Sequence, residues 1–377
     1  MFLFVVLLLT MLSLLFAPFP YLWVFLLLTL FWGRVTLTVR RRIPKIVSLN
    51  LTILMLILAL LEGGLTVQEW VRVASSTYEI EYSDNYVGFD PVLGTVANQS
   101  GTARLKIRDQ TLYDVHYTLN DQGLRVTPEP NQPDAPAVLF FGCSFSYGEG
   151  VEDWQSFPYL VGEGLEGDYR VLNLSFHGYS ANQMLTYLET DKVDELLQGS
   201  TPKLVVYTCI PNHVPRVVGH RRFASRAPRY ELNADGRPVR NGLFIDKTPL
   251  FRYLWYMLKL EKDRSALGRR LLPHRRTDEQ LQLWLSLVEQ SRREVSQRWP
   301  EAKFAVLFWG LRPKKAPPIV TLLQQRGIEV DRVLQVCPGI EKEVFPYDGH
   351  PNVNAHRAVA DYILKRFFGR SSPQTAQ

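Results

Sequence analysis

Ser144 sits just past an apolar run in "VLFFGCSFSYGEGV", residues 138–151, among Gly142, Gly148 and Gly150. A serine hydroxyl is a weak nucleophile until a positioned base takes its proton. That base is usually an imidazole, held in the working tautomer by a carboxylate. Residues 345–356, "FPYDGHPNVNAH", supply both groups in Asp348 and His350. Side chains two apart on extended backbone share a side, and a following proline, here Pro351, favours extended backbone at His350. One loop is therefore expected to present carboxylate and imidazole together.

Charge that develops on an attacked carbonyl oxygen needs donors fixed in advance. Two later segments offer them. "YRVLNLSF" (169–176) runs into "HGYSANQ", where Gly178 permits close backbone approach and can offer its N–H. "KLVVYTCI" (203–210) runs into "PNH", where the Asn212 carboxamide can donate. With the Ser144 N–H, these make an expected oxyanion hole of three donors. Each residue also has an ordinary reading: Ser144 as a helix cap, Gly178 as a turn glycine, Asn212 as a turn or cap residue, His350 as a hydrogen-bonded loop histidine. His356 is a rival base on the following helix, and His213 is a candidate substrate contact.

Five short apolar runs must carry these loops: "AVLFFG", "YRVLNLSF", "KLVVYTCI", "KFAVLFWG" and "IEVDRVLQV". They are β-branched or aromatic and largely lack polar alternation, the pattern of strands buried on both faces of a parallel sheet. Helical stretches lie between or after them. In "TDEQLQLWLSLVEQSRREVSQRW", Thr277 and Gln280 form an expected capping box, and Leu281, Trp284, Leu285, Val288 and Val295 form one apolar stripe. A last helix is expected over 353–368, capped by Asn352 or Asn354, with Ala355, Val359, Tyr362, Ile363 and Phe367 inward. This alternation implies an open α/β sheet, in which function collects at the carboxyl ends of the strands. Residues 66–135 read as a β-rich lead-in with a strand or hairpin in "ARLKIRDQTLYDVHYTL". Residues 136–370 read as the domain that carries the candidate site. A basic insertion at 213–276, with 16 Lys/Arg against 5 Asp/Glu, interrupts it, and 371–377 read as a disordered tail.

Residues 2–32 contain no charge, and a second uncharged run covers 46–61. Uncharged apolar stretches of about 18 residues or more are membrane-span candidates. Pro18 and Pro20 make the first run a kinked span or a re-entrant pair, and it lacks the basic start of a cleaved signal. Arg34, Arg40, Arg41, Arg42 and Lys45 lie between the runs. Short basic loops stay cytoplasmic. Residues 1–65 therefore read as an anchor, with the chain after Glu69 on the periplasmic or extracellular side.

With that anchor, the net charge of +6 gives no reason to expect nucleic acid. The basic insertion suits solvent, anionic lipid or an acidic polysaccharide. Cys143, Cys209 and Cys337 are too few for a disulfide framework; two of them end apolar runs and read as buried hydrophobes, with a Cys143–Cys209 bridge as the alternative. No G-x-S-x-G, H-E-x-x-H, paired C-x-x-C or P-loop occurs, so neither a metal nor a nucleotide cofactor is expected.

Taken in order, "FGCSFSYG" with Ser144, "NLSFHGYSANQ" with Gly178, "IPNH" with Asn212 and "DGHPNVNAH" with Asp348 and His350 resemble four blocks of the SGNH (GDSL-type) hydrolases. The resemblance covers about residues 137–368 outside the insertion. "YTLNDQGLR" (117–125) also looks like the region upstream of the motif in membrane-anchored members. The resemblance implies a flavodoxin-like three-layer sandwich with a five-stranded parallel sheet. It also implies hydrolysis or transfer of an ester acyl group, first of all an acetyl ester on a glycan. Cys143 stands where many members have Asp, Ile210 and His213 replace Gly and Asp of the third block, and one residue instead of two separates Asp348 from His350. That spacing also resembles polysaccharide O-acetyltransferases of the superfamily. A non-catalytic glycan-binding or assembly module and an interfacial lipid esterase are the remaining readings. The oligomeric state stays open.

Overall fold

The computed structural model describes residues 5–6, 9–10, 20–74, 78–107, 110–219, 224, 226–246, 265–271, 278–310 and 317–371. Two compact units make up the chain: residues 1–77 with 248–275, and residues 78–247 with 276–377.

In the first unit, α1 (Pro20–Thr38) and α2 (Arg42–Ala74) form an apolar helical pair. Pro20 starts α1, where its missing N–H costs nothing; the uncharged residues before it lie almost wholly outside the described residues. Both helices are long and apolar enough to cross a bilayer. Leu30, Leu37, Ile43 and Leu60 remain exposed along them, a cost in water that lipid would remove. At about 1.5 Å per residue, the 33 residues of α2 exceed a hydrocarbon core of about 30 Å. The helix therefore runs past residue 65 to Ala74, and strands begin only afterwards. Glu62 of α2 is 2% exposed and accepts hydrogen bonds from Ser265 Oγ and from the Ala266 and Leu267 N–H groups, each at 2.9 Å. It caps a short helix, Ala266–Leu271. Residues 248–275 of the basic insertion thus belong with the apolar helices, while 213–247 belong with the sheet.

The second unit opens with β1 (Tyr78–Tyr82), β2 (Val87–Asp90), β3 (Gly94–Ala97), β4 (Gly101–Ile107) and β5 (Gln110–Tyr117). β1, β4 and β5 form an antiparallel sheet, and β2–β3 form a hairpin. The expected hairpin is β4–β5, whose buried and exposed positions alternate on β4. Then follow β6 (Ala137–Phe141), α3 (Ser144–Tyr147), α4 (Phe157–Gly164), β7 (Arg170–Asn173), α5 (Ala181–Glu189), α6 (Lys192–Leu197) and β8 (Pro202–Cys209). After them come α7 (His213–Arg216), β9 (Pro228–Leu232), β10 (Pro238–Leu243), α8 (Asp278–Arg298), β11 (Lys303–Phe308), α9 (Pro317–Gln325), β12 (Val330–Arg332) and α10 (Val353–Ile363).

The five expected strands pair in parallel in the order β12-β11-β8-β6-β7. Counted within the sheet, that order is 2-1-3-4-5 from the other edge. The fold is flavodoxin-like. Along β6, Ala137, Leu139 and Phe141 enter one core with α5, α8 and α9, while Val138 and Phe140 enter a second core with α4 and α10. This period of two makes the three layers. The fifth run is shorter as a strand than its sequence suggests. β12 pairs only with β11 over three residues, and Val333–Val336 form a helical turn that buries Val333 in the second core. The insertion contributes the antiparallel β9–β10 hairpin. Leu283, Trp284, Leu285, Leu287, Val288 and Val295 form the buried face of α8, with Leu281 at its edge; the expected capping residue Thr277 lies outside the described residues. Asn352, not Asn354, caps α10, accepting the Ala355 N–H at 3.1 Å. All three cysteines are buried and unbonded, so no Cys143–Cys209 bridge forms.

Arg125 joins the antiparallel lead-in to the loop after α3. It is 1% exposed. Its Nη1 donates to the Tyr147 and Gly148 carbonyls at 2.7 Å each, Nη2 to the Val151 carbonyl at 2.6 Å, and Nε to Asp153 at 2.8 Å. Removing one member of a buried pair leaves the other uncompensated, at about 3–5 kcal/mol. Arg125→Ala is expected to cost stability in that range, read from denaturant unfolding of the full chain in detergent. Arg125→Lys is expected to recover little, because one ammonium cannot span the acceptors that the planar fork reaches.

Candidate active site

The turn from β6 into α3 is possible only because residue 142 is glycine. A Cβ there would meet Ser146 Cβ at 2.8 Å and the Thr208 carbonyl oxygen of β8 at 3.0 Å. Cys143, in extended conformation, takes the cap position, and Ser144 is the first helical residue. Ser144 is therefore not the helix cap. Its Oγ lies 2.8 Å from His350 Nε2, and His350 Nδ1 lies 2.7 Å from Asp348 Oδ2. The three side chains form one hydrogen-bonded chain. With the imidazole proton on Nδ1, donated to Asp348, Nε2 is left to accept the serine O–H. The Phe145 ring packs on the imidazole at 5.3 Å between centroids.

Backbone between Asp348 and His350 is not extended as expected. Tyr347 (φ 66°) and Gly349 (φ 78°) are both left-handed, and the segment folds back through Gly349 N–H to Phe345 O at 2.9 Å and Phe345 N–H to His350 O at 2.8 Å. A tight turn, not a pleat, brings carboxylate and imidazole together across the single intervening residue. A left-handed tyrosine is strained backbone of the kind that persists where surroundings hold it. The Asp348 side chain is 4% exposed and that of His350 19%.

Burial alone would lower the His350 pKa. The hydrogen bond and charge of Asp348, with the charge of Glu149, outweigh burial and the opposing charge of Arg216, and the imidazole ends above its usual 6.5.

β7 and β8 flank β6 in the parallel sheet, so the loops after all three emerge at the same edge. Gly178 has φ 78°, which glycine alone adopts at no steric cost. Asn212 is exposed at the start of α7 and makes no cap hydrogen bond, which leaves its carboxamide free of that duty. Ser180 Oγ donates to the His213 carbonyl at 2.9 Å and ties the two loops together.

Two candidates fall away. His356 is fully buried and its Nδ1 accepts the Phe157 N–H at 3.1 Å. Burial, with the Arg125 and His350 charges, lowers its pKa to about 3. It is no rival base. His213 does not meet substrate either: it turns inward against β8, fully buried, with Nδ1 2.6 Å from the Tyr207 hydroxyl.

Behind the imidazole lies a second acid–imidazole pair that the sequence reading did not assign. Glu149 is 1% exposed, and its Oε2 lies 2.5 Å from His177 Nδ1. His177 Nε2 meets the Tyr86 hydroxyl at 2.8 Å. Tyr82, Tyr113 and Tyr117 from the lead-in donate to Glu149 at 3.1, 3.3 and 3.4 Å. Burial pushes the Glu149 carboxyl up. The neighbouring His177, with His350 and the Tyr82 hydroxyl, reverses this and holds it at about 2. Glu149 so carries a negative charge that acts on His350, and His177, the residue before Gly178, is held between Glu149 and Tyr86. The lead-in is thus the support of the site's back wall. The one local signal was Glu149 itself, a charge set between Gly148 and Gly150 at the end of an otherwise uncharged block.

A separate cleft of about 530 Å³ lies between the β9–β10 hairpin and α8, and no candidate site residue lines it. Its Glu289 is already engaged by Arg293 and Arg326.

No family model and no curated protein matches the chain. Among solved structures the chain is similar to TesA, at 20% identity over 62% of this chain and 99% of that one, with a TM-score of 0.32. It is similar to an acetyl xylan esterase from the rumen bacterium Butyrivibrio proteoclasticus, at 12% identity over 77% and 83%, with a TM-score of 0.36. A lipase from a goat rumen metagenome gives 13% identity over 60% and 95%, with a TM-score of 0.34. Likenesses at this level carry no weight here; the fold rests on its strand order and the candidate site on its distances.

Proposed function

We propose that this chain is a membrane-anchored serine ester hydrolase whose sheet domain faces away from the cytoplasm. The observation that carries the reading is the imidazole of His350, within hydrogen-bond reach of Ser144 on one side and Asp348 on the other. In the proposed reaction His350 Nε2 takes the Ser144 proton as Oγ attacks the ester carbonyl. The Ser144 and Gly178 N–H groups and the Asn212 carboxamide hold the oxyanion. Asp348 keeps the proton on Nδ1 and stabilises the imidazolium. The protonated imidazole then gives its proton to the departing alcohol, and a water, deprotonated by the same imidazole, releases the acyl group from the serine.

The anchor reading rests on α1 and α2, and the orientation on the basic residues at 34 and 40–45, which favour the cytoplasmic side. An acetyl ester on an envelope or secreted glycan is the substrate to test first. Transfer of the same acyl group to a sugar hydroxyl is the second reading, favoured by the one-residue spacing of Asp348 and His350. The deciding assay supplies the full chain in detergent with an aryl acetate, with and without sugar acceptors. Free acetate at unchanged rate in both supports hydrolysis, acetylated sugar at the expense of free acetate supports transfer, and turnover in neither contradicts both.

A further inference from the structure

Arg216, the last residue of α7, is 9% exposed, and no carboxylate among the described residues pairs with it. Its Nη1 donates to the Tyr179 carbonyl at 2.9 Å, and its Nε is buried without a hydrogen-bond partner. A guanidinium removed from water needs a counter-charge. Arg125 has one in Asp153. Arg216 has none. With Nη1 engaged, the edge left over is Nε with Nη2, two parallel N–H directions that match the two oxygens of a carboxylate.

Arg216 is tied to the loops that carry the candidate oxyanion donors. Tyr179 follows Gly178 directly, and Arg216 ends the short helix that Asn212 precedes. The Arg216 charge also opposes the rise in the His350 pKa, as a cation close to the imidazole must.

We propose that Arg216 binds a carboxylate of the substrate beside the ester that Ser144 attacks, which makes the preferred substrate an acylated acidic sugar, a uronic-acid glycan, and not a neutral one. This rests on the esterase reading above. Because Nε is buried, seating the carboxylate requires side chains to rearrange, a common adjustment on binding.

The test compares 4-acetoxybenzoate with its neutral methyl ester, using the full chain in detergent as wild type, Arg216→Gln and Arg216→Lys. The wild type is expected to favour the anionic ester in kcat/KM by roughly tenfold or more, as a charge-assisted bidentate contact supplies. Arg216→Gln is expected to abolish that ratio, chiefly through KM, and Arg216→Lys to restore part of it. Arg216→Gln also loses the bond to Tyr179, so both esters slow and the ratio is the readout. An unchanged ratio in Arg216→Gln overturns the proposal. Binding of an O-acetylated glucuronate to Ser144→Ala, with and without Arg216→Gln, separates the two claims. If the wild type turns over neither ester, the hydrolase reading fails, and binding alone decides: loss in the Arg216 variant supports the carboxylate contact, and equal binding overturns it.

Discussion

Ser144→Ala is expected to lower kcat/KM on a short-chain aryl acetate by about 10⁴-fold or more, leaving only the catalysis that donors and binding supply without a nucleophile. Among the described residues, the two nearby serines Ser146 and Ser180 are turned to other partners. Ser146 is fully buried with its Oγ 3.5 Å from Thr208 Oγ1, and Ser180 Oγ donates to the His213 carbonyl. The fold should tolerate the change, because a single side-chain hydrogen bond contributes about 1 kcal/mol net. Steady-state kinetics beside a thermal melt of the same preparation checks both halves. A variant that melts like the wild type and keeps its activity removes Ser144 as nucleophile.

Asp348→Asn is expected to be nearly as damaging, by about 10³–10⁴-fold, because an amide at that position can hold the wrong imidazole tautomer. Its pH profile carries the sharper information. The base is neutral His350, whose pKa is raised, so wild-type kcat/KM should fall as pH drops, with a midpoint above 6.5. Burial acts on His350 in the opposite sense, and the hydrogen bond from His350 to Asp348 does most to overcome it. The residual activity of Asp348→Asn should therefore titrate at lower pH than the wild type. Linkage has the same sign: a raised pKa contributes stability that is fully present below 6.5 and is lost as pH rises through the folded-state value. Profiles from about pH 5 to 9 resolve the shift. A midpoint that does not move in Asp348→Asn denies Asp348 its role.

The candidate site was readable where chemistry dictates residue type at a strand end. "GCS", "HGYS", "PNH" and "DGH" each follow or precede an element with a strong apolar signature, and two of the buried strands flank a third, so parallel pairing alone collects their loops. What the sequence hid was conformation and long-range pairing. Nothing local announces left-handed backbone at Tyr347 and Gly349, so the sequence alone suggests extended backbone from Asp348 to His350. Arg125 and Asp153 are 28 residues apart, and Tyr82 and Glu149 are 67 apart; such pairs have no period, and each partner alone looks like an ordinary surface charge or core aromatic. His213 misled for the opposite reason. It stands beside Asn212, yet the first residue of α7 turns into the core. Strand and helix compete in "IEVDRVLQV" because an edge strand needs only one partner, and burying Val333 in the second core is achieved equally well by a helical turn.

The central claim is that His350 activates the Ser144 hydroxyl, and covalent labelling tests it most directly. A fluorophosphonate, which traps activated serines, is added to the full chain in detergent, and the modified peptide is identified by mass spectrometry. The expected result is one adduct on Ser144 in the wild type, lost in His350→Ala although Ser144 remains. Labelling of another residue, or equal labelling of Ser144 without the imidazole, would contradict it.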